Sequence, residues 1–297
     1  MRRLLLILVI LALVSAGAFF ALTMPDRVAP EELADLIGDA DAGGAVFWAG
    51  GCASCHAGED AEGEDRLILS GGQQLASEFG TFVAPNISPD PEHGIGDWTL
   101  AEFVTAMQNG ISPEGRHYYP AFPYTAYRMA TRQDMADLFA FLSTLPASVT
   151  PSEPHQVSFP VTITRGIGLW NLLHLRDDYV VDGDLTEHEA RGRYLSEALA
   201  HCAECHTPRD ATGGLDRTRW MAGAPNPTGR GTIPALTPDE LTWSVEEIAA
   251  YLNDGFAPDF DTAGGQMAEV VENLSNLTSE DRLAIAAYLK ALPPVGE

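Results

Sequence analysis

The longest apolar stretch of the chain lies at its N-terminus. Arg2 and Arg3 precede an uncharged run from Leu4 to Leu22, which at about 1.5 Å per helical residue spans roughly the 30 Å hydrocarbon core of a bilayer. Residues 16–18 offer a small-residue cleavage site, but the apolar run continues beyond it, and cleaved signals have shorter apolar stretches. We therefore favour an uncleaved signal-anchor helix over residues 1–24, with a cleaved signal as the alternative. Either way, the arginines predict a cytoplasmic N-terminus and a periplasmic body.

Beyond this segment, apolar positions recur at helical spacing. Phe103 and Met107 are four residues apart, as are Ile248 and Leu252, which predicts a buried face on each of two helices. Three helix starts carry capping boxes, in which a hydroxyl and a carboxylate satisfy the first free amides. These boxes begin at Thr99, Thr186 and Ser244. The one alternating run, Val157–Ile163, is weak, so the pattern predicts a mostly α fold.

The helical pattern occurs twice. The sequence GCASCH at 51–56 is matched by HCAECH at 201–206, and Pro85–Asp90 is matched by Pro234–Asp239. The segment from Trp98 through Gly110 is matched by Trp243 through Gly255, and both halves close on a helix that ends in Leu-Pro. An internal repeat of this kind predicts two copies of one domain. We place domain 1 at 30–146, a proline-rich linker at 147–164 and domain 2 at 165–297.

The length and the net charge of the chain limit the number of domains and the classes of partner that it can have. A chain of 297 residues fits two domains of ordinary size. With 42 Asp and Glu against 17 Lys and Arg, its formal net charge is −25, which excludes nucleic acid as an ordinary partner. An acidic surface instead predicts a docking partner with a basic face and association that slows as salt rises.

All four cysteines belong to two Cys-x-x-Cys-His motifs, the attachment signature of haem c. Cys52 and Cys55 in the first motif, and Cys202 and Cys205 in the second, can each add to one haem vinyl group. His56 and His206 then lie under the iron as proximal ligands. A zinc ribbon needs two pairs about 15–20 residues apart, and a thioredoxin-like redox pair needs a βαβ setting, so the motifs predict two covalently bound haem c groups.

The sixth iron ligand is predicted from the methionines. Met267 lies on a loop before the last helix, and we expect it to bind the second iron. Aligning the halves on Gly110 and Gly255 puts Phe122 opposite Met267, and phenylalanine cannot bind iron. Met129, seven residues later, is therefore the candidate for the first iron.

Other side chains compete with this assignment. Met107 and Met135 lie in predicted helices, where a core role is the simpler interpretation, and Met221 is the other methionine of the second half. His93 and His117 lie in loops and could also bind iron, although solvated loop histidines are commoner.

Several further segments resemble one known family. They are Leu69–Gly72, Phe79–Phe82, Pro85–Asp90, Gly94–Trp98, Tyr119–Tyr124, Cys205–Arg209, Met267–Val271 and Ala286–Lys290. Together with the cysteine motifs, they are similar to the cytochrome c subunits of membrane-bound bacterial dehydrogenases for alcohols, aldehydes, sugars and sugar acids such as gluconate. The resemblance covers nearly everything after residue 43.

The resemblance implies electron transfer. Such subunits pass electrons from a flavin-, quinone- or molybdenum-dependent catalytic subunit towards quinone, a cytochrome c or a terminal oxidase. In many of them the phenylalanine equivalent to Phe122 coexists with a downstream methionine, which favours Met129. Many also carry three haem domains and a C-terminal membrane helix, whereas this chain has two motifs and an N-terminal apolar run.

We therefore expect a di-haem electron carrier, without catalytic residues of its own, that serves a dehydrogenase at the periplasmic face of the membrane. The alternative is a di-haem enzyme, a peroxidase or a thiosulfate-oxidising cytochrome, in which Phe122 leaves one iron open. A third hypothesis is a structural adaptor whose haems serve folding alone.

Overall fold

The computed structural model describes residues 1–226 and 231–294 of the chain. Its first helix, α1, runs from Arg2 to Leu22, and none of its residues is buried against the rest of the protein. Within the described residues, α1 is the one helix that is long and apolar enough to cross a membrane. It coincides with the predicted anchor.

Two helical domains follow α1, which confirms the mostly α fold class. The first contains α2 (Ala40–Ala49), α3 (Cys52–His56), α4 (Leu100–Asn109), α5 (Tyr124–Tyr127) and α6 (Arg132–Leu142). After α7 (Ile167–His174), the second contains α8 (Glu187–Arg193), α9 (Ala203–His206), α10 (Val245–Asp254), α11 (Gln266–Leu274) and α12 (Ser279–Ala291). Equivalent helices occur in the same order in both domains.

Three helices begin where the capping boxes predict. Thr99, Thr186 and Ser244 each accept a hydrogen bond from the amide three residues later, and the glutamate at that position accepts one from the cap amide. Both α4 and α10 end at a left-handed glycine, Gly110 with φ 63° and Gly255 with φ 75°. These local signals are present in both copies because each depends on residues a few positions apart.

Each domain is closed by a helix crossing that needs glycine. α2 crosses α6, and α8 crosses α12. A Cβ at Gly43 would lie 2.0 Å from the Asp137 carbonyl oxygen, and one at Gly192 would lie 1.9 Å from the Ala284 carbonyl oxygen. Because the obstacle is backbone, a side chain at either position would separate the helices.

The second domain carries one extra residue between this glycine and its cysteine motif. Gly43 precedes Cys52 by nine residues, whereas Gly192 precedes Cys202 by ten. A π-helical segment, Tyr194–Leu199, continues α8 and accommodates the insertion. The crossing and the attachment motif thus keep their relation in both copies.

The strands are short. β1 (Gln74–Ser77) and β2 (Gly80–Val83) form a hairpin, β3 (Gln156–Val157) pairs with β2, and β4 (Ala224–Pro225) pairs with β5 (Thr232–Ile233). The sequence pattern did not predict the hairpin, and β3 takes up only the first residue of the weak alternating run. Strands of two to four residues are too short for alternation to be read.

The predicted linker begins against the first domain. Asn86 Nδ2 donates to the carbonyl oxygens of Ser148 and Thr150, at 2.8 Å each, and β3 extends the hairpin. The first part of 147–164 is therefore packed. The exact domain boundaries stay a prediction.

The two domains meet through equivalent surfaces. α11 of the second domain packs on α2 and α3 of the first, and α5 of the first packs on the π-helical segment of the second. α5 follows Gly110 and α11 follows Gly255 in their own domains. Each of these two helices contacts the other domain at or next to its cysteine motif. The contact resembles the isologous interface of a two-fold dimer.

Candidate haem sites

Both cysteine motifs form single helical turns. In α3, the left-handed Gly51 (φ 64°) starts a turn that places Cys52 and Cys55 three positions apart on one face. Cys202 and Cys205 are arranged in the same way at α9. All four thiols are free of disulfides. Each pair can therefore present two sulfurs to the edge of one planar group.

The histidine of each motif is held by a proline carbonyl. His56 Nδ1 lies 2.8 Å from the Pro85 oxygen, and His206 Nδ1 lies 2.8 Å from the Pro234 oxygen. A ring that donates from Nδ1 leaves its Nε2 lone pair free for a metal, and such outer hydrogen bonds orient metal-binding histidines. Burial lowers the pKa of both imidazoles, which favours this neutral form. The repeated proline segments thus have a structural role that the sequence pattern did not indicate.

Cys52, Cys55 and Cys202 are partly buried, and Cys205 is the most exposed of the four cysteines. Burial raises the pKa of both Cys52 and Cys202 to about 12, and it also raises the pKa of Cys55 and Cys205. Raised values disfavour the thiolate that a redox-active pair uses. No group of three or more His, Cys, Asp or Glu side chains that could hold a metal ion occurs within 1–226 and 231–294. The zinc and redox alternatives therefore gain no support.

The methionines of the two domains fall into two groups. Met107, Met135 and Met221 are buried in the hydrophobic core. Met221 is the equivalent of Leu69 in the first domain. Each lies two residues before a glycine, Gly223 or Gly71, whose amide donates to the carbonyl oxygen of the motif histidine. Met129 and Met267 are instead partly exposed and outside the fully buried core. These three buried methionines therefore have packing roles, as expected from the sequence for Met107 and Met135.

The two remaining methionines do not occupy equivalent positions. Met267 is the second residue of α11, so the expectation that it lies on a loop is wrong, whereas Met129 follows the end of α5. The Met129 segment is fixed on both sides, because Gln108 Nε2 donates to the Ala130 oxygen at 2.7 Å and Tyr127 Oη donates to the Gly50 oxygen at 2.8 Å. The second bond ties this segment to the start of the first cysteine motif.

The two competing histidines have other partners. His93 Nδ1 lies 3.2 Å from Asp90 Oδ1. His117 is buried, and its Nε2 lies 3.0 Å from the Thr23 carbonyl oxygen at the end of α1. A bonded ring nitrogen does not by itself exclude either histidine, since His56 and His206 are held in the same way, and Met129 therefore stays the prediction made from the sequence.

The two motifs face each other across the domain interface. Ser54 accepts a hydrogen bond from Asn273 of α11, and Glu204, at the equivalent position, accepts one from Thr125 of α5 at 2.8 Å. A Cβ at Gly51 would lie 3.9 Å from His201 Cε1, so the residues that precede the two motifs are also neighbours. Two separate attachment sites are thereby brought into one shared region.

A buried arginine joins the domains. Arg66, whose side chain is 4% exposed, contacts Glu272 at 2.6 Å, Asn273 at 3.1 Å and Glu269 at 3.4 Å, all on α11. Its guanidinium lies 5.7 Å from the centre of the Trp48 ring. Arg66 of the first domain therefore holds the helix that carries Met267. The sequence contained no indication of these contacts, because Arg66 and its partners on α11 are about two hundred positions apart.

Comparison with known proteins decides the family. The family model described as "Cytochrome c" matches residues 40–146 and again residues 190–293. The chain belongs to the cytochrome c family. Each matched segment contains one attachment motif, and the cytochrome therefore carries two covalently bound haem c groups.

This cytochrome is similar to a di-haem cytochrome and to the cytochrome subunits of two dehydrogenases. It is 56% identical, over 99% of its length and 100% of the relative, to a "Diheme cytochrome c-type" of Cereibacter sphaeroides. It is 35% identical over 83% of its length to the fructose dehydrogenase cytochrome subunit of Gluconobacter japonicus, and 31% identical over 82% to the gluconate 2-dehydrogenase cytochrome c subunit of Pantoea cypripedii. The chain spans 51% and 57% of those two relatives.

The residues at the two motifs fit haem c. Each site offers paired thiols on one face, a histidine with a free Nε2, and a partly exposed methionine elsewhere in the same domain. The resemblance inferred from the sequence is confirmed, and so is the prediction of two haem c groups. The individual ligand assignments stay predictions.

Proposed function

We propose that this cytochrome accepts electrons from the catalytic subunit of a dehydrogenase and passes them to a respiratory acceptor. The acceptor is a quinone, a cytochrome c or a terminal oxidase. The observation that carries the proposal is that each attachment motif contacts the other domain, Ser54 with Asn273 and Glu204 with Thr125, and that Gly51 and His201, which precede the motifs, are neighbours. Two redox groups held side by side form a relay, and relatives named as dehydrogenase subunits support a dehydrogenase as donor.

Each residue has a defined role in the proposed relay. Cys52, Cys55, Cys202 and Cys205 hold the two groups covalently, and His56 and His206 supply Nε2 to iron. Met267 and Met129 would each offer a thioether sulfur to one iron, which would raise its potential and keep small molecules from it. When bound, the haems supply reversible one-electron chemistry, so the polypeptide's task is to position and tune them.

The proposed location is the cytoplasmic membrane, with both haem domains in the periplasm. α1 supports this as an anchor, and the arginines before it favour a cytoplasmic N-terminus. The net charge of −25 favours an acceptor or donor that presents a basic face.

Carbon monoxide binding tests the carrier against the enzyme hypothesis. The full-length reduced holoprotein is titrated with carbon monoxide and followed by its visible spectrum. Two methionine-closed irons should bind the gas poorly. Rapid stoichiometric binding at one haem would instead favour an enzyme with an open iron, as Phe122 in the position opposite Met267 would allow.

Reduction by a partner tests the donor. The oxidised holoprotein is mixed with a membrane dehydrogenase subunit and its substrate at low and high salt. We expect both haems to be reduced, more slowly as salt screens the acidic surface. Haems that no such subunit reduces would favour the structural adaptor, and salt-independent rates would remove the argument for a basic docking face.

A further inference from the structure

Helix α7 presents its polar side to the protein. Asn171 Oδ1 accepts from Tyr124 Oη at 2.8 Å, and His174 Nε2 lies 2.7 Å from Thr212 Oγ1. Leu169, Leu172 and Leu173, at three- and four-residue spacing, are 40%, 58% and 61% exposed. A surface helix of a soluble domain has the opposite arrangement, with apolar residues inward.

The segment around this face is free of acidic residues. No Asp or Glu occurs between Glu153 and Asp177, although the chain has 42 of them. Phe159 and Ile163, which precede α7, are also exposed. An apolar, acid-free surface on so acidic a protein indicates a contact from which water and carboxylates are excluded.

The same segment is fixed to the end of α1. Arg165 Nη2 donates to the Phe20 oxygen at 2.8 Å, and its Nε donates to Thr23 Oγ1 at 2.9 Å. The Phe20 carbonyl lies in the last turn of α1, where carbonyls have no helical partner. A Cβ at Gly168 would lie 2.8 Å from Thr23 Cβ, so α7 touches the chain where α1 leaves the apolar run.

We propose that α7 lies on the outer leaflet of the bilayer, with Leu169, Leu172 and Leu173 at the boundary between headgroups and acyl chains. The proposal rests on α1 being the membrane anchor of the proposed function. Interfacial helices bury an apolar face to about 5–10 Å. The bilayer is the occupant that reaches α7 because the membrane surface and the end of α1 lie at the same level. A second point of contact fixes the orientation of both haem domains to the membrane.

Site-directed spin labelling tests this contact. Full-length holoprotein with Leu172→Cys or Leu173→Cys is labelled with a nitroxide and placed in phosphatidylcholine vesicles, since the native thiols are consumed by the haem bonds. Val9→Cys, within α1, reports the anchor, and Ile37→Cys, which replaces a side chain of domain 1 that is 85% exposed, reports exposed surface. Accessibility to oxygen and to a water-soluble nickel chelate is then measured, with haem content as the check on folding.

We expect the labels at 172 and 173 to be several-fold less accessible to the nickel chelate than the label at 37, and more accessible to oxygen. Equal accessibility at 172 and 37, with the label at 9 still in lipid, would overturn the inference and leave the anchor intact. A label at 9 that is also in water would overturn the anchor itself. Protection at 172 that occurs only after addition of a dehydrogenase subunit would assign α7 to a protein contact instead.

Discussion

The helix crossings of the two domains have the same backbone geometry and different side chains. In the first domain, the rings of Phe47 and Phe141 pack at an angle of 51° with their centres 5.2 Å apart. In the second, the equivalent residues are Glu197 and Tyr288, and the buried phenol donates to the buried carboxyl. Both pairs lie beside a glycine that allows close backbone contact. The comparison shows that the glycine contact defines the crossing, while the side chains at its flank can change from apolar to polar.

The attachment motifs differ in a similar way. Gly51 adopts its left-handed conformation freely, whereas His201, the equivalent residue, holds a φ of 43° that side chains rarely adopt. Ser54 is neutral, and Glu204 brings a carboxylate that Arg209 contacts at 2.7 Å. Two copies of one domain have therefore been given different electrostatic surroundings, and the two haems need not share one potential.

The largest effect is expected at the crossings. Gly43→Ala should lower the free energy of unfolding of the first domain by about 3 kcal/mol or more, because its Cβ would collide with the Asp137 carbonyl. Gly192→Ala should do the same to the second domain. Chemical denaturation of the holoprotein measures both.

Gly44→Ala is the matched control. A Cβ there would meet only the edge of the Phe141 ring at 3.4 Å, and alanine favours helix over glycine by up to about 1 kcal/mol. We expect no loss of stability. Equal losses for Gly43→Ala and Gly44→Ala would show that the crossing does not depend on backbone contact.

The second-largest effect is expected for the two methionines that are predicted to bind the haem irons. Met267→Ala should lower the potential of one haem, and Met129→Ala that of the other, each on the order of a tenth of a volt. Spectroscopic redox titration measures this, with Met107→Leu, a core substitution, as the control. If Met129→Ala leaves both potentials unchanged, Met129 is not a ligand of the first iron, and the two domains differ in the type or position of their second iron ligand.

Glu197→Gln should have a smaller effect of defined sign. Burial raises the pKa of Glu197, so between its ordinary value and the raised one the folded state binds more protons than the unfolded state. The contribution of Glu197 to stability therefore falls as pH rises through that window. The variant should stabilise the second domain at pH 7, and the gain should vanish below the ordinary pKa of glutamate, about 4.3.

The control for this variant is Glu240→Gln, an exposed glutamate in a turn of the second domain, which should change stability little at either pH. Thermal unfolding at pH 4 and pH 7 measures both. A gain for Glu197→Gln that is equal at the two pH values would mean that charge on this carboxyl is not its cause.

The smallest effect is expected at the interface. Thr125→Val removes a donor to the Glu204 carboxylate, and Ser54→Ala removes a neutral acceptor for Asn273. We expect about 1 kcal/mol from the first and less from the second, since bonds to charged groups are stronger. The separation between the unfolding transitions of the two domains measures the loss of coupling. A larger effect from Ser54→Ala would reverse this ranking.

Much of the fold could be predicted from local sequence. The capping boxes at Thr99, Thr186 and Ser244, the terminal glycines and the two cysteine motifs act over a few residues, so their spacing alone indicates the elements. The repeat then predicted two domains. The same reasoning named the histidines and two methionines as candidate ligands, because their types and order carry the chemistry.

Tertiary structure decided what depends on distant residues. The Arg66 contacts with α11, the glycine crossings and the proline carbonyls behind His56 and His206 each join positions from about thirty to two hundred apart. The outward leucines of α7 belong here too, since their spacing is that of any amphipathic helix and only packing shows which side faces the protein. Local periodicity reports which residues share a face, whereas the partner of that face is set by contacts that no short window of sequence contains.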